Sequence, residues 1–218
     1  MDNGIGSYRR FLDGDEEGLA EIIRDHKDGL ILFINGIAHN IHTAEELTEE
    51  VFVKLVVKRP RFFGKSSFKT WLYAIARNVA YDHLRSRRAT AELTDEEMQR
   101  MISEEDDLER MYIREEDRRA VHRALGRLNP DYSQVLYLIY FEEMDNSEAA
   151  AVMRKSKRQV ENLIYRAKSA LRSELLKEGF CYEGLQRMSS AEARISLKRR
   201  SALCAPRCHP PSAFALLR

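Results

Sequence analysis

No cysteine occurs before position 181, and the three present, Cys181, Cys204 and Cys208, all fall in the last 38 residues. A disulfide scaffold is thereby excluded for the body of the chain, and a reducing, cytoplasmic home is the expectation. Long apolar runs are missing too. The longest, Val135 to Phe141, falls far short of the ~18 residues needed to cross a bilayer. The acidic cluster Asp13-Gly14-Asp15-Glu16-Glu17 argues against a secretory signal. Five prolines and ten glycines among 218 residues are too few for a collagen-like or Pro/Gly-rich disordered chain. Enzyme signatures are also lacking: there is no Gly-rich phosphate loop, nucleophile elbow or metalloprotease helix. His39 and His42 have no carboxylate partner at ligand spacing, and His83 beside Asp82 reads as a surface pair. Cys204, Cys208 and His209 would need distant Cys181 as a fourth zinc ligand. The expectation is a chain that is not an enzyme and holds no cofactor or metal.

What remains is helical. Apolar residues recur at three and four rather than at two, and no alternating β-branched run is bounded by hairpin turns, so an all-α chain is predicted. Leu19, Ile22 and Ile23 form one stripe; Leu30, Ile31, Phe33, Ile34, Ile37 and Ala38 a second; Leu47, Val51, Phe52, Leu55 and Val56 a third. Pro60 stops the third helix, the loop Phe62 to Ser67 follows, and a fourth helix runs from about Phe68 to Arg88.

The formal net charge of +1 conceals segregation along the chain. Residues 58–88 hold nine basic residues against the single acid Asp82, preceded by the acidic Glu45-Glu46-Leu47-Thr48-Glu49-Glu50. Residues 89–117 carry three Lys and Arg against twelve Asp and Glu, with few large apolar residues, and read as a solvated tether. Fully extended, those 29 residues reach about 95 Å, enough to let flanking domains lie about 70 Å apart, two turns of DNA. The expected division is a domain at 1–88, the linker 89–117, a second domain at 118–180 and a disordered tail at 181–218.

The second domain carries the sharpest local signals. Asn129-Pro130 caps the helix Tyr132 to Phe141; Asp145 with Glu148 and Ser156 with Gln159 each form a capping-box pattern. Only Arg154 and Lys155 separate the first of these helices from the second cap, the spacing of a helix-turn-helix whose second helix enters the major groove. On that last helix Val160, Leu163, Ile164, Ala167, Ala170 and Leu171 form the buried stripe. The opposite face carries Lys157, Arg158, Glu161, Asn162, Tyr165, Arg166 and Ser169, side chains able to fork onto guanine, pair with adenine or accept from cytosine. Taken alone such a face is an ordinary solvated one; joined to the capped turn it reads as a DNA-contacting surface.

In the first domain Phe68, Leu72, Ile75, Ala76 and Val79 share one arc, while Tyr73, Arg77, Tyr81 and Arg85 stand four apart on another, with Thr70, Asn78 and Arg88 beside them. Alternating aromatics and guanidiniums suit single-stranded nucleic acid, since bases stack and phosphates need neutralising. The alternative is equally open at this stage: Trp71 and the tyrosines as core, the arginines as solubilising groups. The loop Phe62 to Ser67 offers hydroxyls and aromatics that would pocket an unstacked base, or else is a connector.

In these residues the chain resembles the extracytoplasmic-function (ECF) group of sigma factors of bacterial RNA polymerase, over nearly all of residues 7–180. The resemblance is carried by Tyr8-Arg9-Arg10-Phe11-Leu12-Asp13-Gly14-Asp15, by Ala44 to Phe52, by Phe68-Lys69-Thr70-Trp71-Leu72-Tyr73-Ala74-Ile75-Ala76-Arg77-Asn78, and by Leu128-Asn129-Pro130 with Val160 to Lys168. It implies two small helical domains. Glu46, Leu47, Glu49, Glu50, Val51 and Phe52 would dock on the polymerase clamp. Phe63, Lys65, Ser66, Ser67, Lys69, Thr70, Trp71, Tyr73, Arg77, Asn78, Tyr81 and Arg85 would read and melt the minus-ten element, with Asn78 and the 63–67 loop holding a flipped non-template base. Lys157, Arg158, Glu161, Asn162, Tyr165 and Arg166 would contact the minus-thirty-five element as duplex. The acidic tether is similar to the family linker that threads toward the RNA exit path. The implied partners are core RNA polymerase, promoter DNA and an anti-sigma factor. The chain departs from the family where a turn glycine and an aliphatic are replaced by Arg154 and Lys155, and where Glu161 and Leu163 replace basic residues. The competing expectations are a stand-alone helix-turn-helix regulator and a purely protein-binding helical adaptor.

Overall fold

A computed structural model describes residues 4–90 and 116–177, apart from the side chains of 88–90 and 116–120. Most of the expected acidic linker and the cysteine-containing tail therefore lie outside the described residues. The helices are α1 (Ile5–Leu12), α2 (Glu16–Ala38), α3 (Ile41–Lys58), α4 (Phe68–Thr90), α5 (Glu116–Gly126), α6 (Pro130–Tyr140), α7 (Asn146–Met153) and α8 (Lys157–Lys177), with no strand among the described residues.

Local chemistry sets the helix ends. Asp15 caps α2 by accepting from the Glu17 N–H at 3.0 Å, and Asn40 caps α3 by accepting from the Thr43 N–H at 2.7 Å. Arg59 closes α3 in the left-handed region at φ 40°, directly before Pro60. One expectation is corrected here. The stripes at 19–23 and 30–38 belong to a single helix, α2, and the extra helix of the domain is α1. Gly29 and Gly36 weaken α2 locally by about 1 kcal/mol each relative to alanine, but Ile22, Leu30, Ile31, Phe33, Ile34 and Ile37 are all buried along it. Burial of so many large side chains outweighs that deficit.

In the first domain α1 crosses α2, held by Arg10 and Ser7 on the Glu21 carboxylate, and α3 and α4 pack on α2. The second domain wraps α5, α6 and α7 around α8. The two are not held apart: α6 lies against α2 and α7 against α4, so one continuous apolar core runs through both.

Candidate nucleic-acid interface

The turn between α7 and α8 is built from its caps. The Asp145 carboxylate accepts from the Ser147 and Glu148 N–H groups at 2.6 and 2.8 Å, and Glu148 Oε2 accepts from the Asp145 N–H at 3.1 Å. Those two backbone donors hold the Asp145 carboxyl below the usual range. Ser156 and Gln159 form the second reciprocal pair, at 2.7 and 3.3 Å. Arg154, where the resemblance leads one to expect glycine, sits at φ 54°, a conformation that costs a side-chain-bearing residue about 1–2 kcal/mol. Lys155 is tied down through its Nζ, 3.0 Å from Asp131 Oδ2.

This turn fixes the rotation of α8. Val160, Ala167 and Leu171 are buried, Leu163, Ile164 and Ala170 are partly so, and all seven residues assigned to the reading face are exposed, Tyr165 by 80%. A free row of Lys, Arg, Asn, Glu and Tyr on a rigid helix is the arrangement that groove readout requires.

The first domain divides the predicted aromatic and basic residues between packed and exposed positions. Trp71 packs with Tyr8, Phe62 and Phe68 at ring-centroid separations of 5.4, 5.3 and 5.5 Å, a cluster at the base of the 62–67 loop. Tyr8 donates to the Pro60 carbonyl at 2.7 Å and so fastens the chain entering that loop. Phe68 and Thr70 are buried; Phe63 is 77% exposed at the loop's tip beside Gly64, whose φ is 68°. Of the four-residue row on α4, Arg85 is exposed and pairs with Asp82 at 3.4 Å. Arg77 lies over the Tyr81 ring at 4.3 Å. Tyr73 is wholly buried, edge-on to Phe33 at 5.2 Å, and burial foremost raises its phenol well above the usual range. Asn78 is half-buried. His83 is corrected from its expected surface pairing with Asp82: its Nε2 is buried, and the carboxylate turns to Arg85 instead. His42 also has a carboxylate nearby, Glu45 at 3.9 Å. No group of three or more metal-capable side chains occurs among the described residues, and no helix among them is long and apolar enough to cross a membrane.

Two family patterns match the chain in order: Sigma-70 region 2 over residues 22–90, spanning most of α2, then α3 and α4, and Sigma-70, region 4 over residues 118–171, spanning the helix-turn-helix. The chain is 30% identical over 132 residues to the ECF RNA polymerase sigma factor SigC of Mycobacterium tuberculosis, covering 61% of this chain and 70% of that protein. It belongs to the ECF sigma factors. The RNA polymerase sigma-H factor of Pseudomonas aeruginosa is 28% identical over 166 residues, covering 72% of this chain and 86% of that one. In fold, the chain resembles the sigma factor RpoE from Bartonella quintana, solved with the anti-sigma factor NepR, at TM-score 0.54 and 21% identity over 77% of this chain and 98% of that one. Sigma factors are non-enzymatic initiation factors that direct RNA polymerase to promoters, so this sigma factor's partners are RNA polymerase and promoter DNA.

The structure separates the six residues assigned to the polymerase. Glu46, Glu49 and Glu50 are exposed on α3, whereas Leu47, Val51 and Phe52 are core. Val56, expected in the apolar stripe, is 39% exposed and shares the outer arc with Val53 and Val57, at 55% and 74%. These three valines continue the row of carboxylates. Sequence reading passed over Val53 and Val57; the signal available was that both lie off the i, i+4 stripe that the other apolar residues of α3 obey.

Proposed function

We propose that the sigma factor divides its work among three surfaces. The outer face of α3, Glu46, Glu49 and Glu50 with Val53, Val56 and Val57, takes the polymerase clamp, while Leu47, Val51 and Phe52 hold that face in shape from beneath. The 63–67 loop and α4 take the minus-ten element. Phe63, with Lys65, Ser66, Ser67, Lys69 and Thr70, lines a pocket for an unstacked non-template base with Asn78 nearby; Arg77, Tyr81 and Arg85 follow the strand; Trp71 and Tyr73 support the helix from its packed side. Lys157, Arg158, Glu161, Asn162, Tyr165 and Arg166 on α8 contact the upstream duplex.

The observation carrying this reading is the combination of a capped helix-turn-helix whose reading face is wholly exposed with a second, separate basic and aromatic helix in the region 2 domain. A stand-alone helix-turn-helix regulator has no use for the second feature or for the α3 face. The chain carries no catalysis of its own, acts where the polymerase is, in the cytoplasm, and is a target for an anti-sigma factor as the fold's likeness to RpoE of the RpoE–NepR complex invites.

Transcription in vitro with purified core polymerase over a promoter library tests the proposal. Asn78→Ala is expected to retain polymerase and to lose open-complex formation on duplex promoters, with activity recovering on templates already melted at the minus-ten element. Equal transcription by mutant and wild type on duplex templates would remove Asn78 from the base pocket.

A further inference from the structure

We propose that Arg158 and Glu161 together select a single G·C base pair of the upstream element, the guanidinium taking the guanine and the carboxylate the cytosine. The inference rests on the contact between α8 and upstream duplex proposed above, and adds to it the base pair chosen and its orientation. A helix advances about 100° per residue, so side chains four apart line up in rows. On α8 the exposed side chains fall into two such rows, Lys157, Glu161 and Tyr165 in one, Arg158, Asn162 and Arg166 in the other. Val160, Ala167 and Leu171, all buried, fix which way both rows point. The reciprocal bonds of Ser156 and Gln159 hold the start of the helix rigid.

Glu161 is the sole acid among these six side chains. Lys157 and Arg158 precede it by four and three residues, spacings at which opposite charges meet on a helix surface, yet no ion pair joins Glu161 to either. Cation before carboxylate is the weaker order for such a pair, so little is lost when both groups turn outward.

A groove walled by phosphates repels an unpaired carboxylate unless something within the groove donates to it. In the major groove guanine offers two acceptors, thymine an acceptor and a methyl, and adenine a donor beside an acceptor; cytosine offers only its N4 amino donor. Cytosine is therefore the one base that meets a carboxylate with nothing but a donor. Its partner guanine presents N7 and O6, the two acceptors that a guanidinium fork fits. Arg158 and Glu161 lie on adjacent rows, with Cβ atoms about 5–6 Å apart, near enough for both to reach one pair. Both belong to the opening turns of α8, the part of a recognition helix that meets base edges. Reversal to C·G would set the guanidinium against the cytosine donor and the carboxylate against the guanine acceptors, so orientation is chosen by repulsion as well as attraction.

The test uses holoenzyme, full-length sigma factor on core RNA polymerase, and a promoter library randomised upstream of a fixed minus-ten element. Wild type is expected to enrich one G·C pair whose reversal weakens binding about 5- to 150-fold, the range of one good bidentate contact. Glu161→Ala should cut that penalty at least fivefold, at that position only. On DNA lacking the element the same variant should bind more tightly than wild type, because a charge repelled by phosphate is gone. The exchange Arg158→Glu with Glu161→Arg, between two good helix formers at exposed sites, should invert the choice to C·G. Unaltered base preference in both variants would overturn the proposal. A loss shared by every sequence would do the same, by assigning the two side chains to phosphate. Wild type that initiates from the library yet enriches no upstream sequence removes the proposal and the reading of α8 together, whereas enrichment that depends on Arg166 but not on Arg158 or Glu161 removes the proposal only.

Discussion

Val53 and Val57 stand 55% and 74% exposed on the outer face of α3, with nothing in the fold requiring them to be apolar. Changing both to serine tests whether polymerase covers them. Burying a whole valine side chain stabilises by roughly 1.5 kcal/mol. Scaled by the exposed fractions, docking would gain about 0.8 and 1.1 kcal/mol from the pair, together about 2 kcal/mol, or thirtyfold in Kd. Serine and valine have similar helix propensities, so the variant should unfold within about 0.5 kcal/mol of wild type. Leu47→Ser, at a site 4% exposed, is the contrasting case and should cost the fold itself several kcal/mol. Titration of fluorescent core polymerase gives the affinity, and a denaturant melt gives the stability. A double variant that melts like wild type and binds polymerase within twofold of wild type would refute the assignment of this face.

Arg166→Ala should weaken upstream promoter recognition by roughly 1–3 kcal/mol if the guanidinium forks onto a base; competition between promoters differing only in the minus-thirty-five element checks this, and an equal loss on all of them assigns the residue to phosphate. Arg154→Gly removes a side chain from φ 54° and should raise unfolding stability by about 0.5–1 kcal/mol, read by denaturant melts. Burial foremost, then Lys69, hold the His26 imidazole below its ordinary pKa, against the opposing pull of Asp25 and Glu142. The unfolded chain therefore binds this proton first. His26's share of stability is complete above the ordinary value near 6.5 and declines as pH falls from there toward the depressed folded value. His26→Phe should flatten that part of a stability-against-pH curve, and an unaltered slope would exclude the residue.

The parts of the fold legible in the sequence were those fixed by neighbours in sequence. Asp145 with Glu148, Ser156 with Gln159, and Asn129 before Pro130 form their caps within three residues of chain, so residue type and spacing sufficed. The face of α8 was equally readable, because one helix with one buried stripe determines which side chains remain outside. Gly29 and Gly36 show the converse. Nothing in their own stretch of chain marks what they accommodate, the close approach of Tyr73, Glu142 and Ser133, residues up to about a hundred positions away. The open choice for Trp71 and the tyrosines is answered in part: Tyr73 is core, whereas Tyr81 lies half-exposed under Arg77. No periodicity separates those two, because what covers Tyr73 comes partly from α6, where Tyr137 lies 6.0 Å from the same Phe33 ring.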